Sequence, residues 1–349
     1  MFSNYALCIC TYRRVHLLQQ LLQDLLRQIL PDVLIIVDGD PNPTKVFDML
    51  SKWKASAPFP VYYVPSNHPN LAYQRYLGWR VAKDQGVPFL LYLDDDLRIE
   101  QPDAVEKMLA PLFSDPGVVA VTARIVMGKG HSEQSNKGGR SLFHPVYPSR
   151  KFLTGALTPA GDRKLPPEDG KDYHNVEWLR GGAMAFRMNA LLPDCFSEDL
   201  FALTHIGCGM GEDTFLARRV LRYGKLLYAS CAVFLHPGED TPKAYPVDPY
   251  KKARAVAYSR RLLNNIYRGD SSPQISDRLY LLRSYLFNAV WLWAKAITGF
   301  RLYRVQYALG YTVGAVRGIF QNPTSQVLTP HIDWWAEAEQ ALAQAQKMG

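Results

Sequence analysis

Leu90-Leu91-Tyr92-Leu93-Asp94-Asp95-Asp96-Leu97 joins an apolar run to three consecutive carboxylates. Residues 89–93 read as a buried strand, because the run is too short and too rich in strand-forming side chains for an ordinary helix. Side chains alternate along an extended chain, so this reading turns Asp94 and Asp96 to one side and Asp95 to the other. Carboxylates converging at the carboxyl end of a strand repel one another unless a positive charge sits among them. A hard divalent cation with oxygen ligands, one that also holds phosphate oxygens, meets that need. The plainer alternative is a solvated acidic turn.

The segments before this strand repeat its pattern. Tyr5-Ala6-Leu7-Cys8-Ile9-Cys10 reads as a strand ending at Thr11, followed by a helix. In that helix Leu17, Leu18, Leu21, Leu22, Leu25, Leu26 and Ile29 recur at helical spacing, and Pro31 closes it. Val33-Leu34-Ile35-Ile36-Val37 is the continuous apolar run of a strand covered on both faces, with a turn at Asp38-Gly39-Asp40-Pro41. A short helix near 44–54, a strand at Val61–Val64 and a helix near 70–84 lead to the aspartates, and Val118–Thr122 adds a further strand. This alternation predicts an α/β fold with a mostly parallel sheet flanked by helices, doubly wound over the first ~125 residues. Ligands of such sheets bind beyond the carboxyl ends of the strands. Thr11, Asp38, Asn67 and Asp94 therefore share one rim.

Later segments differ. From Gly128 to Asn175, Gly, Pro, Ser, Lys and His dominate and hydrophobic periodicity is lost, which predicts either a functional lid or disorder. Order resumes at Val176–Gly182, with a strand at Ala183–Phe186, a helix over 212–223, and two short strands at Lys225–Ala229 and Val233–Leu235. Residues 250–320 interleave aromatic and basic side chains along helical stretches. That composition suits either a membrane interface or packing on the main domain or a second subunit. Residues 332–348 form an Ala/Gln/Glu-rich helix. The chain thus divides into 1–245, containing the 128–175 insertion, and a helical region 246–349 that is a candidate for membrane contact.

With 349 residues the chain has ample material for a sizeable core. Its net charge of +8 suits a polyanionic or phosphate-bearing ligand, an anionic membrane surface, or simple solubility. No zinc-finger spacing, RNP-like motif or basic arm points to nucleic acid. The five cysteines are scattered, with no CxxC pair and no disulfide framework, so a reducing, cytosolic setting is expected. No basic-then-apolar leader and no spanning apolar run stands out, which leaves peripheral contact with the inner face of the cytoplasmic membrane as the only membrane reading.

Cys10-Thr11-Tyr12-Arg13-Arg14 before a Leu-rich helix, Ile36-Val37-Asp38-Gly39, Asp94-Asp95-Asp96 and Gly211-Glu212-Asp213 occur in that order. As a set, over roughly residues 5–240, they resemble the inverting, nucleotide-sugar-dependent glycosyltransferases of family 2, which have the GT-A fold. The resemblance implies Mg²⁺ or Mn²⁺ bridging a diphosphate, with Asp96 on the metal and Asp94 on the ribose or on the metal through water. It turns Asp95 away from this pair, toward the sugar, and places Thr11 and Asp38 at the nucleoside. Arg13, where the family often has Asn, joins the nucleotide-binding group. Arg75 supports the nucleotide or its phosphates; its other reading is a surface arginine, and that of Asp38 a turn former.

In the family the second acid of the Glu212-Asp213 pair is the usual base. Asp213 therefore leads as general base and Glu212 follows, both at a helix N-terminus whose dipole favours the ionised form; an N-cap is the alternative. His236 stands where several GT-A enzymes have a further metal ligand, or it is structural. Trp178, Gly181 and Gly182 fall where the family builds its sugar and acceptor surface, though a buried Trp178 fits equally well. No Gln-x-x-Arg-Trp motif follows His236, so addition of a single sugar is expected, from a nucleoside diphosphate sugar (UDP-sugars leading) to a glycan or lipid-linked acceptor. A catalytically silent nucleotide- or sugar-binding protein on the same fold is the rival. A nucleotidyltransferase ranks lower, lacking a Gly-rich loop after the first strand, and a phosphatase, whose aspartates would follow that strand, ranks lower still.

Overall fold

The computed structural model describes residues 4–40, 42, 44–128, 155–166, 169–206, 211–238, 248–269, 271–299 and 301–348. Strands β1 (Tyr5–Thr11), β2 (Val33–Asp38), β3 (Val61–Pro65) and β4 (Phe89–Asp94) alternate with helices α1 (Val15–Leu25), α2 (Thr44–Trp53) and α3 (Leu71–Asp84). After α4 (Ala104–Ser114) come β5 (Val118–Met127), β6 (Tyr173–Val176), β7 (Ala183–Arg187), α5 (Glu198–His205), α6 (Glu212–Val220) and β8 (Lys225–His236). Helices α7 (Pro249–Ile266), α8 (Ile275–Thr298) and α9 (Leu302–Phe320), a single turn α10 (Ser325–Leu328), α11 (Trp334–Ala343) and the edge strand β9 (Gln346–Met348) complete the chain.

Among the described residues nine strands lie in one sheet, in the order β6-β8-β5-β7-β4-β1-β2-β3-β9. The stretch from β3 through β2 and β1 to β4 is parallel, as the alternation predicts. Its side chains split with period two: Ala6, Cys8, Cys10, Leu90 and Tyr92 meet the core under α3, α5 and α6. Tyr5, Leu7, Ile9, Leu91 and Leu93 meet the core under α1, α2 and α4. The architecture is a mixed, mostly parallel sheet flanked by helices, followed by further C-terminal helices.

Beyond β4 the sheet departs from a simple continuation. β5 does not pair with β4; β7 returns between them, antiparallel to both. β8 is one twelve-residue strand rather than two, with a register shift against β5 at Ala123/Arg124. Within the 128–175 stretch, residues 155–166 form a paired turn with a bridge between Leu157 and Arg163, and β6 pairs with β8. Residues 129–154 and 167–168 lie outside the described residues, as do Gly209 and Met210.

α7 packs along α9, where glycines let the backbones meet: a Cβ on Gly310 would stand 2.2 Å from the Tyr250 carbonyl oxygen. The two helices share a small core with Ala160, Leu281 and Tyr285. Among the described residues no helix is long and apolar enough to cross a membrane.

Candidate active site

The parallel register sets the rim. Thr11 lies opposite Asp38, and Cys10 opposite Asp94, so the first, second and fourth strands end within one residue of each other. Strand β4 stops at Asp94, and Asp95 and Asp96 belong to the turn that follows. The alternation argument therefore ends at Asp94, which corrects the expectation that Asp95 faces away. Thr11 donates its hydroxyl to Asp95 Oδ2 at 2.7 Å, and Arg14 Nη1 reaches both Asp95 Oδ1 (3.2 Å) and Asp96 Oδ2 (2.6 Å). Burial raises the Asp95 carboxyl to about 6 against the pull of Arg14. Asp96 is also buried, but a hydrogen bond with His236, that imidazole's charge and Arg14 bring it below the ordinary carboxylate value.

Arg75 is the hub of the site. At 1% exposure it is no surface arginine. Its Nη2 reaches Asp94 Oδ1 (3.2 Å) and the Gly181 carbonyl (2.7 Å), while Nη1 reaches Glu212 Oε1 (3.2 Å). One planar guanidinium thus spans the aspartate turn and the helix α6 terminus, as its fixed fork of donors permits. Two neighbours hold it there. Tyr92 donates to the Arg75 carbonyl, and Gln74 donates to the carbonyls of Thr11, the last residue of β1, and Val37, the last but one of β2. Burial raises Asp94 to about 6 and Glu212 to about 7, in the latter with the charge of Asp213 added, and Arg75 opposes both. Glu212 Oε2 is buried with no hydrogen-bond partner among the described residues.

Asp213 is held from several directions. Arg163 Nη2 reaches its Oδ1 at 2.5 Å, Thr214 donates its N–H and hydroxyl to the same oxygen, and Gly181 donates its N–H to Oδ2 at 2.9 Å. Burial pushes this carboxyl up, but Arg163 and then Arg75 bring it below its ordinary value. Gly181 is closely surrounded: a Cβ would stand 3.3 Å from Asp213 Oδ2 and Glu212 Oε1 and 3.4 Å from Arg75 Nη2, so these side chains would have to give by a few tenths of an ångström. At Gly182 an added Cβ would fall 2.6 Å from Ile125 and 3.5 Å from Asp94 Oδ2.

Four of the expected residues make other contacts. Trp178 presents no face to a sugar; it is buried, donates to the Lys164 carbonyl, and lies 5.9 Å under the Arg163 guanidinium, so it props the 155–166 turn. Asp38 is wholly buried, accepting from Tyr63 and from the Asp40 N–H, and burial raises it to about 6. Asn67 turns toward Glu337. Arg13 is half-exposed and pairs with Asp40 at 3.3 Å.

The side chains can be tested against a divalent cation. Among the described residues no group of three or more His, Cys, Asp or Glu converges as a cage. A cation whose remaining ligands are diphosphate oxygens needs only one or two carboxylates. Asp96, held ionised, and Asp94, a third of whose side chain is exposed, fit that smaller requirement. His236 stands beside this pair. Its Nε2 lies 3.5 Å from Asp96 Oδ2, and its Nδ1 lies 2.9 Å from the Gly238 backbone nitrogen. The imidazole thus supports Asp96, and its pKa is raised chiefly by that contact.

Residues 6–161 match the model of Glycosyl transferase family 2. No curated protein sequence matches the chain. Among solved structures it is similar to the mannosyltransferase PcManGT from Pyrobaculum calidifontis in complex with GDP-Man and Mn²⁺, at 13% identity, with 91% of this chain and 87% of that one covered and a TM-score of 0.47. It is also similar to GalNAc-T7 with UDP, GalNAc and Mn²⁺ (15% identity, 85% and 57% covered, TM-score 0.49). A third is S. aureus TarS (14% identity, 90% and 55% covered, TM-score 0.46). The chain spans little more than half the length of these last two. The family match holds Thr11, Arg14, Arg75 and Asp94–Asp96 and ends before Arg163, Gly181 and Glu212–Asp213, which the fold brings to the same rim. The chain carries a family 2 glycosyltransferase domain over residues 6–161, in a GT-A sheet, and is a glycosyltransferase.

Proposed function

We propose that this enzyme moves one sugar from a nucleoside diphosphate sugar to an acceptor hydroxyl with inversion, the acceptor being a glycan or a lipid-linked sugar. The observation that carries the reading is the single buried guanidinium of Arg75, which joins Asp94 to Glu212 around the Gly181 backbone. Transfer needs charge neutralisation at a departing diphosphate and a base for the attacking hydroxyl, and the two carboxylate groups answer those needs separately.

At the first, Asp96 and Asp94 are the residues that would hold Mg²⁺ or Mn²⁺, which when bound neutralises the diphosphate as a Lewis acid. Thr11 and Arg14 fix the turn that carries them, and Arg14 is the chain's own cation there for phosphate oxygens. At the second, Asp213 stands ionised at the start of α6 and takes the acceptor proton as the hydroxyl attacks the anomeric carbon. Gly181 and Gly182 lie between the two groups, where an added Cβ would crowd Arg75, Asp94, Glu212 and Asp213. Burial keeps Arg75 from competing for phosphate, so it acts as a positioning residue.

The test is nucleotide release and binding across UDP-, GDP- and dTDP-sugars, with Mn²⁺ and with EDTA, in the wild type and in Asp96→Ala, Asp213→Ala and Arg75→Met. One donor is expected to be turned over, UDP-linked by the leading expectation, only with metal. Asp96→Ala loses donor binding. Asp213→Ala binds the donor while turnover falls by roughly 10²–10⁴-fold. Arg75→Met leaves buried carboxylates unpaired and costs about 3–5 kcal/mol of stability. Binding without turnover across a panel of acceptors would favour the silent binding protein, and no binding by any nucleotide sugar would overturn the reading.

A further inference from the structure

Helix α8 uses only one side to pack. Leu281, Ser284, Tyr285 and Ala296 are buried, and they meet α7 and α9. On its other side Ile275, Leu279, Leu282, Leu286, Val290 and Ile297 recur three, four or seven residues apart and are exposed, Ile275 by 78%. The neighbouring helix α9 also exposes Leu302, Leu309, Val316 and Phe320, spaced seven, seven and four residues apart, the last 86% exposed. An amphipathic helix normally turns such a stripe to the core, and contiguous exposed apolar surface on this scale marks an interaction site.

Charge identifies the occupant. From Arg278 to Ile332 the chain has six basic residues (Arg278, Arg283, Lys295, Arg301, Arg304 and Arg317) and no Asp or Glu. Lys295 lies 4.8 Å over the ring of exposed Trp291, and Arg283 lies 5.7 Å over that of Phe287, so the basic heads stand beside aromatic rings. A second copy of this chain is a poor partner, because a symmetric contact would set this face against itself, basic against basic, with no carboxylate to answer. The helices are also too polar to cross a bilayer. Basic flanks, aromatic residues and an apolar stripe on helices lying flat are what an anionic lipid surface binds.

We propose that the outer face of α8 and α9 seats this enzyme on an anionic lipid surface, the apolar stripe entering the headgroup boundary and the arginines and lysine meeting lipid phosphates. The contact is independent of sugar transfer, so it stands or falls apart from the reading of the active site.

The test is co-sedimentation of the full chain with vesicles of phosphatidylcholine alone or mixed with phosphatidylglycerol, at low and high salt. The wild type is expected to sediment with the mixed vesicles, to release as salt rises, and to ignore phosphatidylcholine at the same lipid concentration. The double variant Arg283→Glu/Lys295→Glu should lose at least about tenfold in vesicle affinity, and Leu286→Ser/Val290→Ser should lose a comparable amount. All four side chains are exposed, so unchanged circular dichroism and thermal melting are expected of both variants. Wild type that stays in solution with mixed vesicles overturns the proposal, as do variants that bind like wild type. A dimer in sedimentation velocity that Leu286→Ser/Val290→Ser dissolves, without vesicle binding, assigns the face to a second copy instead.

Discussion

Asp213 shows what a single buried base requires. Both of its oxygens are hydrogen-bonded, and the strongest partner, Arg163, holds its pKa down against burial. A low pKa keeps the group ionised but makes it a weaker proton acceptor. Replacing Arg163 by Ala removes the opposing charge, so the Asp213 pKa should rise. The acid limb of the kcat/KM profile should then move to higher pH, since the base must be ionised to act. Glu212, raised to about 7, is the rival source of that limb. A limb that stays fixed in Arg163→Ala and disappears, along with most turnover, in Glu212→Gln would assign the base to Glu212. Asp213 is legible in the sequence as an acid opening a helix, but Arg163 is not. It lies 50 residues earlier in a stretch without hydrophobic periodicity, and only the Leu157–Arg163 turn, tied by Asp162 to Arg260 of α7, delivers it. Arg75 is legible as a cation near the nucleotide, whereas its burial is a property of packing that local spacing does not encode.

At the scale of elements, α3 presses on β1 at one point. A Cβ on Gly78 would stand 2.2 Å from Cys8 Sγ, far inside van der Waals contact. Gly78→Ala must push the helix off the strand, at a cost of about 1–3 kcal/mol in urea unfolding. It should also lower turnover, because Arg75 sits one turn earlier on the same helix and moves with it. Adding Cys8→Ala removes the obstructing sulfur and should restore most of the loss in both measurements. Unchanged stability in Gly78→Ala alone would show that the two elements have slack. The strands of this half are legible because their runs are apolar on both faces and each ends in a polar rim residue. The antiparallel return of β7 between β4 and β5 is not, since the composition of Ala183–Arg187 says nothing of direction or neighbour. The single long β8 was hidden by Ser230-Cys231, which reads as a break but falls within the strand beside its register shift.

Over the whole molecule, the end of the chain completes the beginning. A division at residue 245 would place α11 and β9 with the C-terminal helices, yet β9 pairs with β3 at the sheet edge. Trp334, the first residue of α11, is wholly buried among His68, Tyr73, Phe201 and His205. An Ala/Gln/Glu-rich helix carries little sign of this, because a single tryptophan does the anchoring. Trp334→Ala should cost about 3–5 kcal/mol by emptying a packed site, read as a lower urea midpoint with an unchanged slope. Phe320→Ser on the exposed face of α9 should change stability by no more than about 0.5 kcal/mol. That contrast separates the two roles of the C-terminal region. Removing residues 276–349 would strip Trp334 and the edge strand along with α8 and α9, so such a chain would lose lipid binding through unfolding alone. A Trp334→Ala protein as stable as the wild type would instead show that the sheet stands without its C-terminal edge, and that the helices could be removed cleanly.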